Sequence, residues 1–409
     1  MLVPSPERTA MEQAATVSGF LPPQGARVPF FSQAAGFAAL WPRVEPLLTE
    51  VLERGKYSHG PLVGAFEEAL ARWTGARHVV GVNSGTDALV LLLRAAGLTP
   101  GAEVVVPAFS FVASASSVVL AGGRPVFADV DPLTYAMDPD ATAAAVTRRT
   151  RVLMPAHLFC QTADLGALTE VAERYALTLL EDSAEAIGMR WDGVHAGLVG
   201  SGGVLSFFPT KTLGALGDAG AVITDDDRIA ETAAALRHHG RFGRTVDDFP
   251  AINTESTVPG LNSKMDDFQA AILLAKLGTL DADIARRAEL ALRYTERLAG
   301  CAGVRRLPTV VRRDVPSTPV FYVYLVEVDH RDELVRHLAA HGVETEVYYP
   351  TPLPLQPCFA DLGHRRGEFP RAEHACAHAV ALPLYPDLAD DDLDRVCDLV
   401  RAFYGGGGA

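Results

Sequence analysis

Lys211 stands in the run Ser206-Phe207-Phe208-Pro209-Thr210-Lys211-Thr212-Leu213-Gly214-Ala215-Leu216-Gly217-Asp218-Ala219-Gly220 and is the only Lys or Arg between Arg190 and Arg228. An ammonium among small, aromatic and glycine residues is poorly solvated. Desolvation disfavours its charged form, lowers its pKa and frees the amine as a nucleophile. A lysine taken alone more often snorkels at a surface, so the weight rests on a second stretch. Leu177-Thr178-Leu179-Leu180-Glu181-Asp182 reads as an apolar strand ending in a carboxylate, 29 residues before Lys211. A strand-end Asp and a desolvated Lys are the pair that pyridoxal phosphate (PLP) needs. The carboxylate keeps the pyridine nitrogen protonated and the amine forms the Schiff base.

A phosphate needs its own site, and one is legible upstream. His78-Val79-Val80-Gly81-Val82 is a short apolar strand running into Asn83-Ser84-Gly85-Thr86-Asp87 and then a helical run of Ala88, Leu89, Leu91, Leu92 and Leu93. Strand, small-residue turn, helix directs free N–H groups and a positive dipole end at one point. A plain N-cap would use the same residues. With Lys211 in the same chain, Gly85, Thr86 and the Asp87 backbone become candidates for the phosphate.

The elements that must position these groups alternate. Strands are expected at 103–107, 125–131 and 151–155, with helices around 139–147 and 163–176, which makes an α/β fold with a mostly parallel sheet. Ligands of such sheets sit at the carboxyl ends of strands, where Thr86, Phe111 and Asp182 fall. Helical spacing is also read over 38–54, ended by Gly55, and over 266–279, 281–298, 331–341 and 395–404. Further strands are expected at 320–328 and 343–349.

Taken together these motifs resemble the sugar aminotransferases of the DegT/DnrJ/EryC1/StrS group, within the fold type I PLP enzymes. The resemblance runs from about Val28 to the C-terminal region. The resemblance implies a PLP-binding domain with its sheet sandwiched by helices, read here over 28–280; the different alternation that follows reads as a small α+β domain over 281–409, and residues 1–27 as a flexible tail. It implies that Ser206 holds the cofactor phosphate and that Phe111, rather than Phe109, stacks on the cofactor ring. Glu185 replaces the family's usual Gln near the cofactor's phenolic oxygen. Gly260-Leu261-Asn262-Ser263-Lys264-Met265-Asp266 is similar to the family's Gly-Tyr-Asn-x-Arg-Met-Asp, in which the Asn reaches the phosphate of the neighbouring subunit. A homodimer with shared active sites follows from that likeness. Leu261 and Lys264 depart from the pattern, and Lys keeps the charge of Arg without its fork.

His157-Leu158-Phe159-Cys160-Gln161 resembles the family's His-Leu-Tyr-Gly-Gln with two changes. Tyr348-Tyr349-Pro350-Thr351-Pro352-Leu353-Pro354-Leu355-Gln356-Pro357 resembles His-Tyr-Pro-x-Pro-Leu-His-x-Gln-Pro, with Tyr348 and Pro354 in place of the histidines. These two positions are expected on the substrate side. His59, Arg241, Arg244 and Lys264 are further candidates for substrate contact, the cations for a substrate's phosphates.

Composition narrows the function classes. A net charge of −14 over 409 residues argues against binding to nucleic-acid or anionic-membrane surfaces. Five cysteines without a C-x-x-C pair suit a reducing cytoplasm and offer no metal site. The N-terminus has no basic segment followed by an apolar run. No apolar stretch has the length of a membrane span. The expected activity is a ping-pong transfer of an amino group, with Lys211 as general acid and base. By resemblance the donor is L-glutamate and the acceptor a keto group on a nucleotide-linked deoxysugar. A cyclitol or other small ketone is the alternative acceptor. A non-catalytic PLP-binding regulator is disfavoured by the presence of both Lys211 and Asp182.

Overall fold

A computed structural model describes residues 27–242 and 255–405. The expected tail, apart from Arg27, and Arg244 lie outside the described residues.

Two four-stranded sheets meet at the segment that carries Asp182. On one side Arg124–Ala128, Glu103–Pro107, Thr150–Leu153 and Thr178–Leu179 lie in that spatial order, all parallel. On the other side Glu181–Asp182 pairs in parallel with Gly203–Ser206, which pairs antiparallel with Gly220–Thr224, and that strand antiparallel with His78–Val82. The 178–182 segment joins the halves. Leu180 and Asp182 donate their N–H groups to Leu153 and Pro155, while Glu181 donates to Gly202. The parallel half is nearly continuous Val and Leu, as strands covered on both faces require, and Val104, Val105, Val106 and Leu153 are fully buried. The expected parallel sheet is therefore present, with an antiparallel section where the chain turns back to carry Lys211.

The helices flank this sheet. Gly85–Ala95 buries Leu89, Leu91, Leu92 and Leu93 and is capped by the Ser84 side chain, whose Oγ accepts the Asp87 N–H. Ala34–Arg54 is closed by Gly55, whose φ of 64° permits the N–H to return to the Val51 carbonyl. It starts four residues earlier than the apolar spacing implies.

A second core gathers Leu290, Tyr294, Tyr324, Val326, Leu393 and Val396. It is built by the helices Leu280–Leu298, Arg331–Ala340 and Asp390–Gly405 around the antiparallel strands Val304–Arg306, Tyr324–Val328 and Ala379–Leu382. Val28 belongs to this core, bridging to Val343, so the first described residues pack with the C-terminal part of the chain. The strand expected over 343–349 does not form. Its backbone partners change from Val28 at Val343 to Ala381 at Glu346, so no ladder propagates. The strand expected from Val320 is confined to Tyr324–Val328, because the Val320 and Tyr322 N–H groups are taken by the Cys160 and Phe159 carbonyls.

Candidate active site

The strand ends and the turns that follow them surround a cavity of about 400 Å³. Of the residues singled out by sequence, Gly85, Thr86, Phe111, Asp182, Glu185, Ser206, Lys211 and Tyr348 all line it. The structure thus brings together positions from 85 to 348.

At one end lies a small-residue cradle. A Cβ on Gly85 would stand 2.7 Å from Ser206 Cβ, and one on Gly220 would meet the Ser84 carbonyl oxygen at 2.5 Å. Both distances are shorter than any side chain tolerates, so only glycine lets the turn after His78–Val82 approach the end of Gly203–Ser206. The helix Gly85–Ala95 begins here with its dipole's positive end at the cavity wall. The Asp87 N–H is already given to Ser84 Oγ at 3.1 Å, so its backbone donor serves the cap. This cradle fits an oxyanion such as a phosphate, with Thr86 and Ser206 supplying hydroxyls at its wall.

Lys211 projects from a closed loop. Ala215 N–H donates to the Phe207 carbonyl and Lys211 N–H to Phe208, both at 2.8 Å. Its side chain is 15% exposed, and Nζ lies 3.1 Å from Glu185 Oε1. The ammonium also sits 4.4 Å from the centroid of the Tyr322 ring. This corrects the expectation of a depressed lysine pKa. Burial does push the ammonium down, but Glu185 and Tyr322 more than offset it, and the group is held above its ordinary value. The sequence has no signal for this pairing, because Glu185 reaches Lys211 only across the sheet.

Asp182 is buried, 6% exposed. Its Oδ2 accepts from Ser114 Oγ at 2.6 Å, and Ser114 Oγ lies 2.7 Å from Ser110 Oγ. Beside it the buried His157 forms part of the wall. His157 Nδ1 accepts the Ala163 N–H at 3.1 Å, so the ring proton lies on Nε2, which donates to Glu181 Oε2 at 2.8 Å. Glu181 is fully buried and also accepts the Gly197 and Gly200 N–H groups. A fixed carboxylate thus holds one ring orientation. Ser110, Ser114, Tyr322 and Tyr349 were not found by sequence. Ser110 lies in the turn before a small-residue helix, Ser114 in that helix, and Tyr322 and Tyr349 in irregular segments, where no periodic signal marks them.

On the opposite wall Tyr349 Oη donates to Glu185 Oε1 at 3.3 Å, and Tyr322 and Tyr348 share a hydroxyl contact at 3.2 Å. Burial, then the proximity of Glu185, holds the Tyr349 phenol well above its usual range. Burial and the neighbouring Tyr322 hold that of Tyr348 high as well. Both therefore stay protonated, and Tyr349 acts as a donor to Glu185. Phe109 is fully buried against Tyr135, Phe159 and Tyr349, whereas Phe111 is 56% exposed at the cavity.

His59, Arg241, Asn262 and Lys264 do not line this cavity. They gather elsewhere, around the bridge between His238 and Asn262. The His59 and His238 rings are 5.8 Å apart, and Lys264 Nζ donates to Asn262 Oδ1. Burial, then Arg237 and the other cations, pushes His59 down to about 4. Burial followed by Arg241 and Arg237 lowers Lys264. The cluster is thus positive and crowded. Among the described residues no group of three or more His, Cys, Asp or Glu side chains is arranged to hold a metal. No helix there is long and apolar enough to cross a membrane.

A sheet-end cavity with a buried Asp, an oxyanion cradle and a loop lysine is the arrangement expected of an aminotransferase site on an α/β scaffold. The chain belongs to the DegT/DnrJ/EryC1/StrS aminotransferase family, whose model matches residues 43–401. It is 38% identical over 376 residues to the dTDP-3-amino-3,4,6-trideoxy-alpha-D-glucose transaminase of Streptomyces venezuelae, covering 92% of this chain and 96% of that one. It is also 38% identical over 385 residues to a pleiotropic regulatory protein of Geobacillus stearothermophilus, covering 92% and 98%. The solved structure of S. venezuelae DesV in complex with a ketimine intermediate superposes with a TM-score of 0.86 at 38% identity, covering 92% of this chain and 98% of that one. The expected family, fold class and enzyme class are borne out.

Proposed function

We propose that this aminotransferase uses PLP and moves an amino group from an amino acid, L-glutamate by family likeness, to a keto group of a nucleotide-linked deoxysugar. The observation that carries the cofactor is the single cavity shared by Lys211, Asp182 and the Gly85–Ser206 cradle. Thr86 and Ser206 would hold the phosphate, Asp182 would face the ring nitrogen and Phe111 would lie against the ring. PLP, when bound, supplies an electron sink for the bond broken at the substrate carbon.

The chain's own groups do the rest. Lys211 needs a neutral amine to act as nucleophile and proton carrier, and Glu185, 3.1 Å away, holds its side chain at the cavity while favouring the charged form. Tyr349 donates to the same Glu185 oxygen and so fixes that carboxylate beside the lysine. Ser114, donating to Asp182, keeps that carboxylate aimed. Tyr348, which lines the cavity at the position of the family's histidine, would touch the acceptor in this reading.

The active unit in this reading is a homodimer. Phe111 and Phe208 are 56% and 49% exposed at the cavity, an apolar rim that a second subunit would cover. The crowded cluster of Arg241, Lys264 and Asn262 would then supply positive charge to the partner's site, where a nucleotide diphosphate needs it. We divide the chain at about residue 280 into a large and a small domain, in keeping with the second core beyond that point.

A visible spectrum with PLP, before and after L-glutamate, tests the reading. A lysine-linked absorption band that bleaches with glutamate, and is missing in Lys211→Ala, is expected. A band that ignores every amino acid would favour a non-catalytic binder. No lysine-dependent band at all would overturn the use of PLP.

A further inference from the structure

Behind the Lys211 loop lies a second cavity of about 330 Å³, bordered by Gln33, Arg43, Lys276, Asp283 and Arg287 and touching Lys211 itself. Two of these residues reach the loop's backbone from outside. Gln33, next to the start of the helix Ala34–Arg54, donates its side-chain amide to the Pro209 carbonyl. Lys276, near the end of the helix Asp267–Leu277, donates to the Gly214 carbonyl at 2.6 Å and to Gln33 Oε1 at 3.0 Å. The two carbonyls lie on either side of Lys211, two residues before it and three after. The loop between them is already pinched. A Cβ on Gly214 would stand 2.3 Å from the Pro209 oxygen, so the two anchor points nearly touch.

We propose that Gln33 and Lys276 form a clamp that positions Lys211 for proton transfer, joining the N-terminal segment to the reactive loop. They are positioning residues, since neither lines the cavity that holds Asp182 and the cradle. The chemistry suits the task. A lysine ammonium carries three donors and no acceptor, and its charge strengthens both of its bonds to neutral oxygens. Burial lowers its pKa to about 8, which leaves it mostly protonated at neutral pH. Gln33 completes a continuous chain from the Pro209 oxygen, through its amide and the ammonium, to the Gly214 oxygen. The loop therefore cannot shift on one side without breaking a bond on the other. A reactive amine displaced by about 1 Å loses rate out of proportion to the distance.

The effect on catalysis rests on the aminotransferase reading, but the clamp itself does not. The test compares Lys276→Met, Lys276→Arg and Gln33→Ala with the parent protein. In cofactor-free protein, amide exchange of Lys211 and Ala215 is followed by mass spectrometry. Protection at both should fall at least ~10-fold in Lys276→Met and Gln33→Ala, and recover in Lys276→Arg, as expected when a local opening loses its closing bonds. In PLP-loaded protein the rate constant of the glutamate half-reaction should fall ~10- to 100-fold in Lys276→Met with donor KM little changed, and Arg should restore most of it. Unchanged loop protection in a folded Lys276→Met, or equal losses in the Met and Arg variants, would overturn the clamp. If Lys276→Met does not fold, unchanged protection in Gln33→Ala would overturn it alone. Loss of protection in a chain that transfers no amino group would sink the enzymatic reading and leave the clamp standing.

Discussion

Glu185 Oε1 lies 3.1 Å from Lys211 Nζ, so the lysine proposed to be reactive is ion-paired across two neighbouring strand ends. Glu185→Gln removes the charge that holds the ammonium and leaves burial in command, so the Lys211 pKa should fall. In cofactor-free protein the midpoint for acylation of Lys211 should move to lower pH by a unit or more, which makes the amine at least ~10-fold more available near neutrality. Peptide mass spectrometry of labelling against pH reads this directly. An unmoved midpoint would show that Tyr322 and the loop, rather than Glu185, set the charge.

Gly85 and Ser206 approach so closely that a methyl group between them has no room. Gly85→Ala should leave the fold intact and weaken PLP by ~5- to 150-fold, the usual range for forcing one carbon into a packed site. Pyridoxal without its phosphate should lose far less. Fluorescence titrations with both compounds separate the cradle from the rest of the pocket, and equal losses would place the phosphate elsewhere.

Asn262 and Lys211 belong to different sites of one chain, and a shared dimer would unite them across subunits. Mixing inactive Lys211→Ala with inactive Asn262→Ala protein should then restore about a quarter of the parent activity. Half of the randomly paired dimers are mixed and each holds one intact site. Activity that stays at background after subunit exchange would confine both residues to their own chain.

His195 sets an acid limit on stability. Its Nε2 accepts the Gly188 N–H at 2.9 Å and its Nδ1–H donates to the Ala196 carbonyl at 2.6 Å, so the buried ring is neutral. Burial pushes its pKa down to about 4 in the folded chain. The unfolded chain takes up this proton near 6.5, so stability is full above that pH and is lost as pH falls towards 4. The loss amounts to about 3 kcal/mol from this group. Urea midpoints between pH 7 and 4 should decline over that window, and His195→Gln should flatten the decline while lowering the midpoint at pH 7. A decline confined below pH 4 would assign acid lability to carboxylates instead.

Much of this was legible in the chain itself. Lys211 stood out because it was the one cation in a long apolar run, and Asp182 because it ended a strand. Both signals are local, a matter of composition and period. The cradle was legible for the same reason, since strand, small turn and helix follow one another without a break. Its donor assignment was not, because the Asp87 N–H returns to Ser84 only once the cap has formed. Strand extents at 320–328 and 343–349 were overread. Their backbone groups are claimed by scattered partners, such as Cys160, Phe159, Val28 and Ala381, which period-two patterning cannot see.

By itself the sequence determined the family and the α/β order of elements, and it singled out Lys211 and Asp182 as candidates for the reactive amine and its partner carboxylate. These depend on residue type and on neighbours along the chain. Only the tertiary structure decided the pairing of Lys211 with Glu185, the aim of Asp182 and His157, and the hold of Gln33 and Lys276 on the Lys211 loop. Each of those is an electrostatic or hydrogen-bonded contact between groups far apart in sequence. Such contacts have magnitude only at distances of a few ångströms, and folding alone sets those distances.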